Sequence, residues 1–491
     1  MGKTPYTASN RAIYAWGTGQ VGWMCIYTSF ALLMPIYTTG LGMSPILVSW
    51  AVILPRFIDG FVDAVIAHWS DNSHSRWGRR KPFLLASTFA GALLTMAVWW
   101  VGRDWGQTAQ FIYLFVTATL LYCALGVYQM AYGTLGYELT DDYHERTRVM
   151  AVKGLFGALA AMGTGWVYWF ALRPFFGGEI AGIRWISVGL ALIAMGCALA
   201  VICNTQERFQ KINREPVKLL SAMHSTLTNR PFVILLLMQI TQGLGGAVFG
   251  GLFFYVNVYY VCQGDKSLAT QIAGILSTAG AILGLVAFPF MKPISQRVGK
   301  RNGVILGAGM IAVTAMLTPW FMTPKLPYLQ VILFCGLAPV TGIAGTLTAA
   351  IFPDICDLDE LETGHRREGL FAAVSGFIWK IETSLCGLLV GYLIAFSGFD
   401  PKLVVQTGET ITRLRWFAFA PYIALSIAAM YFAWRFPITE KMMADVRRKL
   451  DARRAAASEL PPEQSPSSGI PGTEPEPEPV IPVLPPARGL L

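Results

Sequence analysis

Two aspartates four residues apart, Asp59 and Asp63, stand in the apolar first part of "LPRFIDGFVDAVIAHWSDNSHSRWGRRKPF", residues 54–83. On a helix, positions i and i+4 share a face, so both carboxylates point the same way. An Asp at the centre of a membrane helix costs about 2.5 to 3.5 kcal/mol. Two of them must therefore face a bundle interior and take up a proton or a cation. Hard oxygen donors at this spacing suit a small hard cation such as Na⁺, completed by hydroxyls or carbonyls of a neighbouring helix. Arg56, three residues before Asp59, is a structural partner for one acid, but it cannot neutralise both. A second charged place lies far along the chain, where "LFAAVSGFIWKIETSLCGLLVGYLIAF" (370–396) carries Lys380 and Glu382 inside its apolar run. A lysine that meets the aspartates neutralises the empty site, and an arriving cation competes with it, which is a physical basis for coupling. Glu382 is on a different helix face from Lys380, and both local pairing and a functional role are open to it.

The elements that must position these groups are membrane helices. The chain has 491 residues, 54% hydrophobic and 14% charged, with a mean hydropathy of +0.49. Soluble domains carry about 25% charged residues. Apolar stretches long enough to span the hydrocarbon occur near 11–38, 45–69, 82–102, 108–137, 149–171, 184–203, 231–261, 268–291, 302–322, 327–351, 368–397 and 414–436, about twelve spans by the length criterion. They are continuous rather than alternating, which excludes a β-barrel. The short N-terminus is expected to carry no cleavable signal peptide.

Lys and Arg concentrate in alternate loops: Arg76 to Lys81, Arg146 to Lys153, Arg208 to Arg230, Lys292 to Arg301, and Arg366 with Arg367. The positive-inside rule puts these loops and both termini in the cytoplasm. The net charge of +9 thus reads as topology and contact with the lipid bilayer, and nucleic acid is not an expected partner, since no basic, aromatic-studded soluble domain exists to bind it. The eight cysteines form no CxxC pair and read as small buried hydrophobes. No nucleophile–base pair, metal motif or phosphate loop points to an enzyme, and no cofactor is expected beyond a coupling ion, Na⁺ or H⁺.

The organisation is bipartite. Six spans (1–203) precede a polar connection (204–230) and six follow it (231–437). Loop chemistry repeats at matching positions: "SDNSHSRWGRRKP" and "KPISQRVGKRNG" follow the second span of each half, and "YELTDDYHERTR" and "FPDICDLDELETGHRREG" follow the fourth. An internal duplication of this kind marks secondary transporters. Residues 438–460 read as a basic amphipathic helix able to lie on the inner leaflet, and 461–491 as a disordered Pro-rich tail. A non-transporting sensor or scaffold acting through that tail is the reading from another class, and it leaves the three membrane charges without a purpose.

"RFIDGFVD" followed by "SRWGRRKPF", the "DDYHERTR" loop, and "PDICDLDELETGHRREGLFAAVSGFIWK" resemble the glycoside–pentoside–hexuronide:cation symporter family over nearly all of residues 10–437. The resemblance implies an all-α membrane protein of the major facilitator fold. Its twelve transmembrane helices form two pseudo-symmetric six-helix bundles around a central cavity opened alternately to either side. It implies a plasma-membrane carrier, in bacteria an inner-membrane one, taking a glycoside, pentoside or uronide together with a cation. Asp59 and Asp63 match the family's cation-binding pair, Lys380 its eleventh-helix lysine, and Arg56 an arginine found there. Asp71, Arg76 and Arg79 match a cytoplasmic latch, and Asp354, Asp357, Arg366 and Glu368 its counterpart in the second half. For these loop charges, gating and plain topology signalling are both open.

The sugar half of the site departs from the family. A fourth-helix acid of its galactoside carriers falls at Gln129, and a first-helix acid falls near Gly22, with Gln20 beside it. A fifth-helix arginine falls at Gly154, beside Lys153. Glutamine still donates to and accepts from hydroxyls, and Trp23, Tyr27, Tyr128 and Tyr132 offer either stacking faces or bundle packing. A galactoside is therefore not implied, and a lysolipid or other amphiphile, carried by a vertebrate member of the wider family, is the alternative cargo.

Overall fold

The computed structural model describes residues 8–56, 78–140, 142–207, 226–365, 367–403 and 405–459. Among them the elements are helices. The first half contains α1 (Asn10–Ala31, continued by Leu33–Thr39), α2 (Pro45–Arg56), α3 (Lys81–Ala97), α4 (Gln107–Tyr137), α5 (Tyr143–Thr164, continued by Val167–Ala171) and α6 (Glu179–Asn204). The second contains α7 (Arg230–Val256), α8 (Lys266–Ala287), α9 (Lys300–Phe321), α10 (Leu329–Thr363), α11 (Glu368–Phe396) and α12 (Gly408–Arg435), followed by α13 (Glu440–Glu459). Ten of these helices are long and apolar enough to cross a membrane; α2 and α3 are shorter apolar helices at the second and third predicted spans.

Local chemistry sets the ends. Ser9, Asn229, Asp265 and Thr407 each accept a hydrogen bond from the backbone N–H three residues on, capping α1, α7, α8 and α12. Pro231 and Pro82 occupy first-turn positions, where no donor is lost. At its far end α7 passes into a π-helical turn, Asn257–Val261, pinned by Gln330, whose amide donates to the buried Asn257 side chain at 3.0 Å. The tenth helix departs from expectation. The sequence predicts a loop from 352, but α10 runs through Thr363 despite Pro353. The lysine at position 300 donates to the Ala350 carbonyl and to Asp354 there, holding this end of the helix together.

The duplication is visible in the contacts. At the end bearing the basic loops, Arg79 and Arg80 reach Glu138 at the end of α4, and Lys300 reaches Asp354 on α10 at 2.7 Å. Lys81 Nζ donates to the Thr205 carbonyl just after α6 at 2.5 Å, as Arg301 Nε donates to the Phe436 carbonyl just after α12 at 2.7 Å. Each half thus ties the start of its third span to the ends of its fourth and sixth.

Each half also has two apolar cores, one near each end. Ile13, Trp16, Tyr128, Tyr132 and Val201 fill the basic end of the first half, and Leu33, Tyr37, Val98, Leu121 and Tyr168 its opposite end. In the second half, Phe232, Ile355 and Phe371 fill the basic end and Tyr255, Phe399 and Tyr422 the other. The helix α13 does not leave its apolar face for lipid: Met443, Val446 and Leu450 are buried in the basic-end core, and Arg447 donates to Asp354 at 2.8 Å. Burial against protein satisfies the same stripe that predicted membrane contact.

Candidate functional site

The two halves meet along α2 and α11. Ser49 packs so closely on Gly391 that a Cβ there would overlap it, and four residues on Ile53 lies 3.4 Å from a Cβ built on Gly387. Small residues are what lets membrane helices approach in this way. The indole of Trp50 donates to the Tyr392 hydroxyl across the same seam at 3.3 Å. This antiparallel register brings the Arg56 end of α2 alongside the turns of α11 that carry Lys380 and Glu382. Cys386, one turn beyond Glu382, is within electrostatic reach of both Glu382 and Arg56.

Arg56 is held from the first half. Its Nε donates to the Tyr122 hydroxyl on α4 at 2.5 Å, and its guanidinium lies 5.4 Å from that ring. Tyr122 in turn packs edge-on against Phe30 at 4.2 Å. From Phe30 an aromatic ladder descends α1: Tyr27 stacks on Trp23 at 4.9 Å with the rings 10° apart. Tyr27 is 36% exposed although it is in mid-span. Gln20 lies one turn below Trp23, and its buried Oε1 has no hydrogen-bond partner among the described residues. The sequence reading named Gln20, Trp23 and Tyr27 separately; the structure joins them into one face of α1, leading to Arg56. Tyr122 and Phe30 were missed, because aromatic residues in an apolar run carry no signal of which face they occupy.

Other expectations fare differently. Tyr128, expected as a stacking face or as packing, is packing: it is fully buried and its hydroxyl donates to the Gly19 carbonyl at 2.6 Å. Tyr132 is buried too, stacked on Trp16 at 4.9 Å, and offers its ring to Lys153, whose ammonium lies 5.4 Å from the centroid. Gln129 is exposed in mid-span, as is Lys380. Asp59, Asp63, Asp71, Arg76 and Arg366 lie outside the described residues. Arg79 is 3.9 Å from Glu138, Asp354 is clasped by Lys300 and Arg447, and Asp357 lies 3.9 Å from Arg447. Glu368 occupies the first turn of α11. Beside it Arg367 pairs with Asp359 at 2.6 Å, a carboxylate contact that raises its pKa further.

A second cluster crosses between the halves at the end opposite the basic loops. Lys266, at the start of α8, donates to the Glu179 carboxylate at 2.8 Å and to the Thr39 carbonyl at 3.1 Å. The Tyr168 hydroxyl donates to the same carboxylate at 2.5 Å. The hydroxyls of Thr38 and Tyr255 are 2.5 Å apart, Arg173 donates to Ser267 at 2.5 Å, and Trp166 to Thr278 at 2.8 Å. Phe254 stacks on Tyr168 at 5.4 Å. Just past the π turn, burial and then the Asp265 carboxylate push the Cys262 thiol up to about 12, so it stays neutral. No sequence pattern marked this cluster, since its members are single polar residues near span ends.

Paired bundles with charged side chains at their seam are what a carrier needs, and the comparison with known families agrees. Residues 15–440 match the model of the family described as MFS/sugar transport protein. The chain belongs to that family. It is a multi-pass membrane protein and a secondary active sugar symporter of the major facilitator superfamily, not an enzyme. It is similar to the glucuronide carrier protein homolog of Escherichia coli K12, 25% identical over 92% of this chain and 97% of that one. It is also similar to a putative glycoside/cation symporter of the same organism, 20% identical over 94% and 98% of the two chains. Among solved structures, that of a D-xylose–proton symporter superposes with a TM-score of 0.61, 13% identity, and coverage of 88% and 98%.

Proposed function

We propose that the chain carries a glycoside, pentoside or uronide into a bacterial cell together with Na⁺ or H⁺, with both termini and the basic loops in the cytoplasm. The observation that carries this reading is the register of α2 on α11, which sets the helix leading into Asp59 and Asp63 beside the helix that bears Lys380. In the empty carrier the lysine balances the acids. A cation at the acids releases the lysine, so cation and solute binding bias the same contacts between halves and become coupled. The likeness to a glucuronide carrier protein homolog and to a putative glycoside/cation symporter supports the solute class.

The hydrogen bonds at the outer end hold the halves together there, the arrangement of a state that opens to the cytoplasm. On this reading the aromatic ladder of Trp23 and Tyr27 stacks on a sugar ring, and Gln20 and Gln129 bond its hydroxyls. The test is uphill accumulation in energised vesicles. Replacing Asp59→Asn or Asp63→Asn is expected to abolish it while leaving solute exchange down a gradient. Accumulation that survives either change contradicts the assignment.

A further inference from the structure

Glu382 stands near the middle of α11, and its carboxylate has no hydrogen-bond or ion-pair partner among the described residues. Lys380 does not pair with it, being two residues away and so about 200° around the helix. The carboxylate is seated instead on α7, where a Cβ on Gly243 would overlap it. Eight residues further along both helices Gly251 receives Val390 in the same way, so the two helices run in parallel register. An unpaired carboxylate in mid-span is costly and marks a functional group.

The first half makes a looser counterpart of this contact with the roles exchanged. Gln20 of α1 lies over Gly157 of α5, its Cγ 3.4 Å from a Cβ built there, and its Oε1 is likewise without a hydrogen-bond partner among the described residues. Each half therefore places one unsatisfied oxygen acceptor at mid-span, in the seam between its first and fifth helices. Sugars present rows of hydroxyl donors. The first half has no carboxylate at Gln20, Gly22 or Gln129 to receive them. A carboxylate accepts two hydroxyls at once, and such charge-assisted bonds are about twice as strong as neutral ones.

We propose that Glu382 is the solute-recognising carboxylate of this carrier, accepting adjacent sugar hydroxyls from the second half opposite Gln20, with Gly243 as the seat that orients it. The inference rests on the sugar symport proposed above and adds a specificity-determining residue to it.

The experiment uses purified protein in liposomes, with initial uptake rates of methyl β-xyloside, methyl β-galactoside and methyl β-glucuronide at varied Na⁺ and pH. For the solute that wild type carries, Glu382→Gln is expected to raise KM at least tenfold and to leave the half-activating cation concentration within about twofold. Gly243→Ala, which displaces the carboxylate, is expected to raise KM likewise, and Glu382→Asp to restore part of the loss. Thermal unfolding of each variant separates a folding defect from a binding one. An unchanged KM in Glu382→Gln overturns the proposal, and so does a changed cation dependence at constant KM, which assigns Glu382 to coupling. Wild type that moves none of the three glycosides refutes the function itself, and the role of Glu382 with it.

Discussion

Lys266 and Glu179 lie 2.8 Å apart, one from each half, and the carboxylate that receives the ammonium also receives the Tyr168 hydroxyl. Their side chains are 25% and 14% exposed, so water screens the pair only in part. A carrier that works by alternating access must break this contact each time this end opens.

Glu179→Gln is accordingly expected to favour the state open at this end by roughly 1 kcal/mol, about fivefold in the conformational equilibrium. Spin labels at Phe175→Cys and Leu326→Cys, both exposed at this end, read the change as a larger population of long distances. The background is one in which Cys203, the exposed native thiol, is replaced.

Gly391→Leu tests the seam itself. Its side chain would strike Ser49 and come within 2.8 Å of the Pro45 carbonyl. Those are backbone and short side-chain atoms that cannot swing aside. The variant is expected to fold but not to close at the end that carries Lys266 and Glu179, so transport falls at least tenfold while the same spin labels stay far apart.

At the other end Asp354 holds two cations, with its side chain only 6% exposed. Asp354→Asn is expected to cost about 2 to 3 kcal/mol, since it strands partners of a largely buried charge. Arg447→Ala, removing a side chain that is 56% exposed, is expected to cost under about 1 kcal/mol. Thermal unfolding in detergent ranks the two.

The carboxylate of Glu207 accepts the backbone N–H groups of Arg79, Arg80 and Lys81, at 2.5, 2.9 and 2.6 Å, at the start of α3. Glycine at 78, with φ +105°, brings the chain close enough for this. Glu207→Ala leaves those donors and the positive end of the helix dipole unmet, an expected loss of about 1 to 2 kcal/mol. Faster amide hydrogen exchange at Arg79 to Lys81 is the direct readout.

Much of this architecture is legible in sequence, because a bilayer leaves few options. Every backbone group in hydrocarbon must bond within its own helix, so apolar length alone locates the spans, and α6 ends at Asn204 and α7 begins at Arg230, either side of the polar connection. Repeated loop charges likewise announce the duplication, which the structure expresses as Arg80 with Glu138 and Lys300 with Asp354. Partners between elements are less readable. Tyr27 and Tyr128 are both mid-span tyrosines, yet one is partly open and the other is sealed against Gly19. Only the rotation of α1 and α4 about their axes decides which, and in helices apolar on all sides no polar stripe reports that rotation. The α13 stripe shows the same ambiguity, since apolar side chains suit lipid and protein equally.

The central claim is that acids on the second span and the lysine of the eleventh form one occupancy-dependent charge cluster. Solute uptake against its gradient, driven by an imposed Na⁺ or H⁺ gradient in liposomes, tests it most directly when wild type, Asp59→Asn, Asp63→Asn and Lys380→Gln are compared. The expected result is accumulation by wild type alone, with solute exchange persisting in the aspartate variants. Accumulation that continues in either aspartate variant, or in Lys380→Gln, contradicts the account.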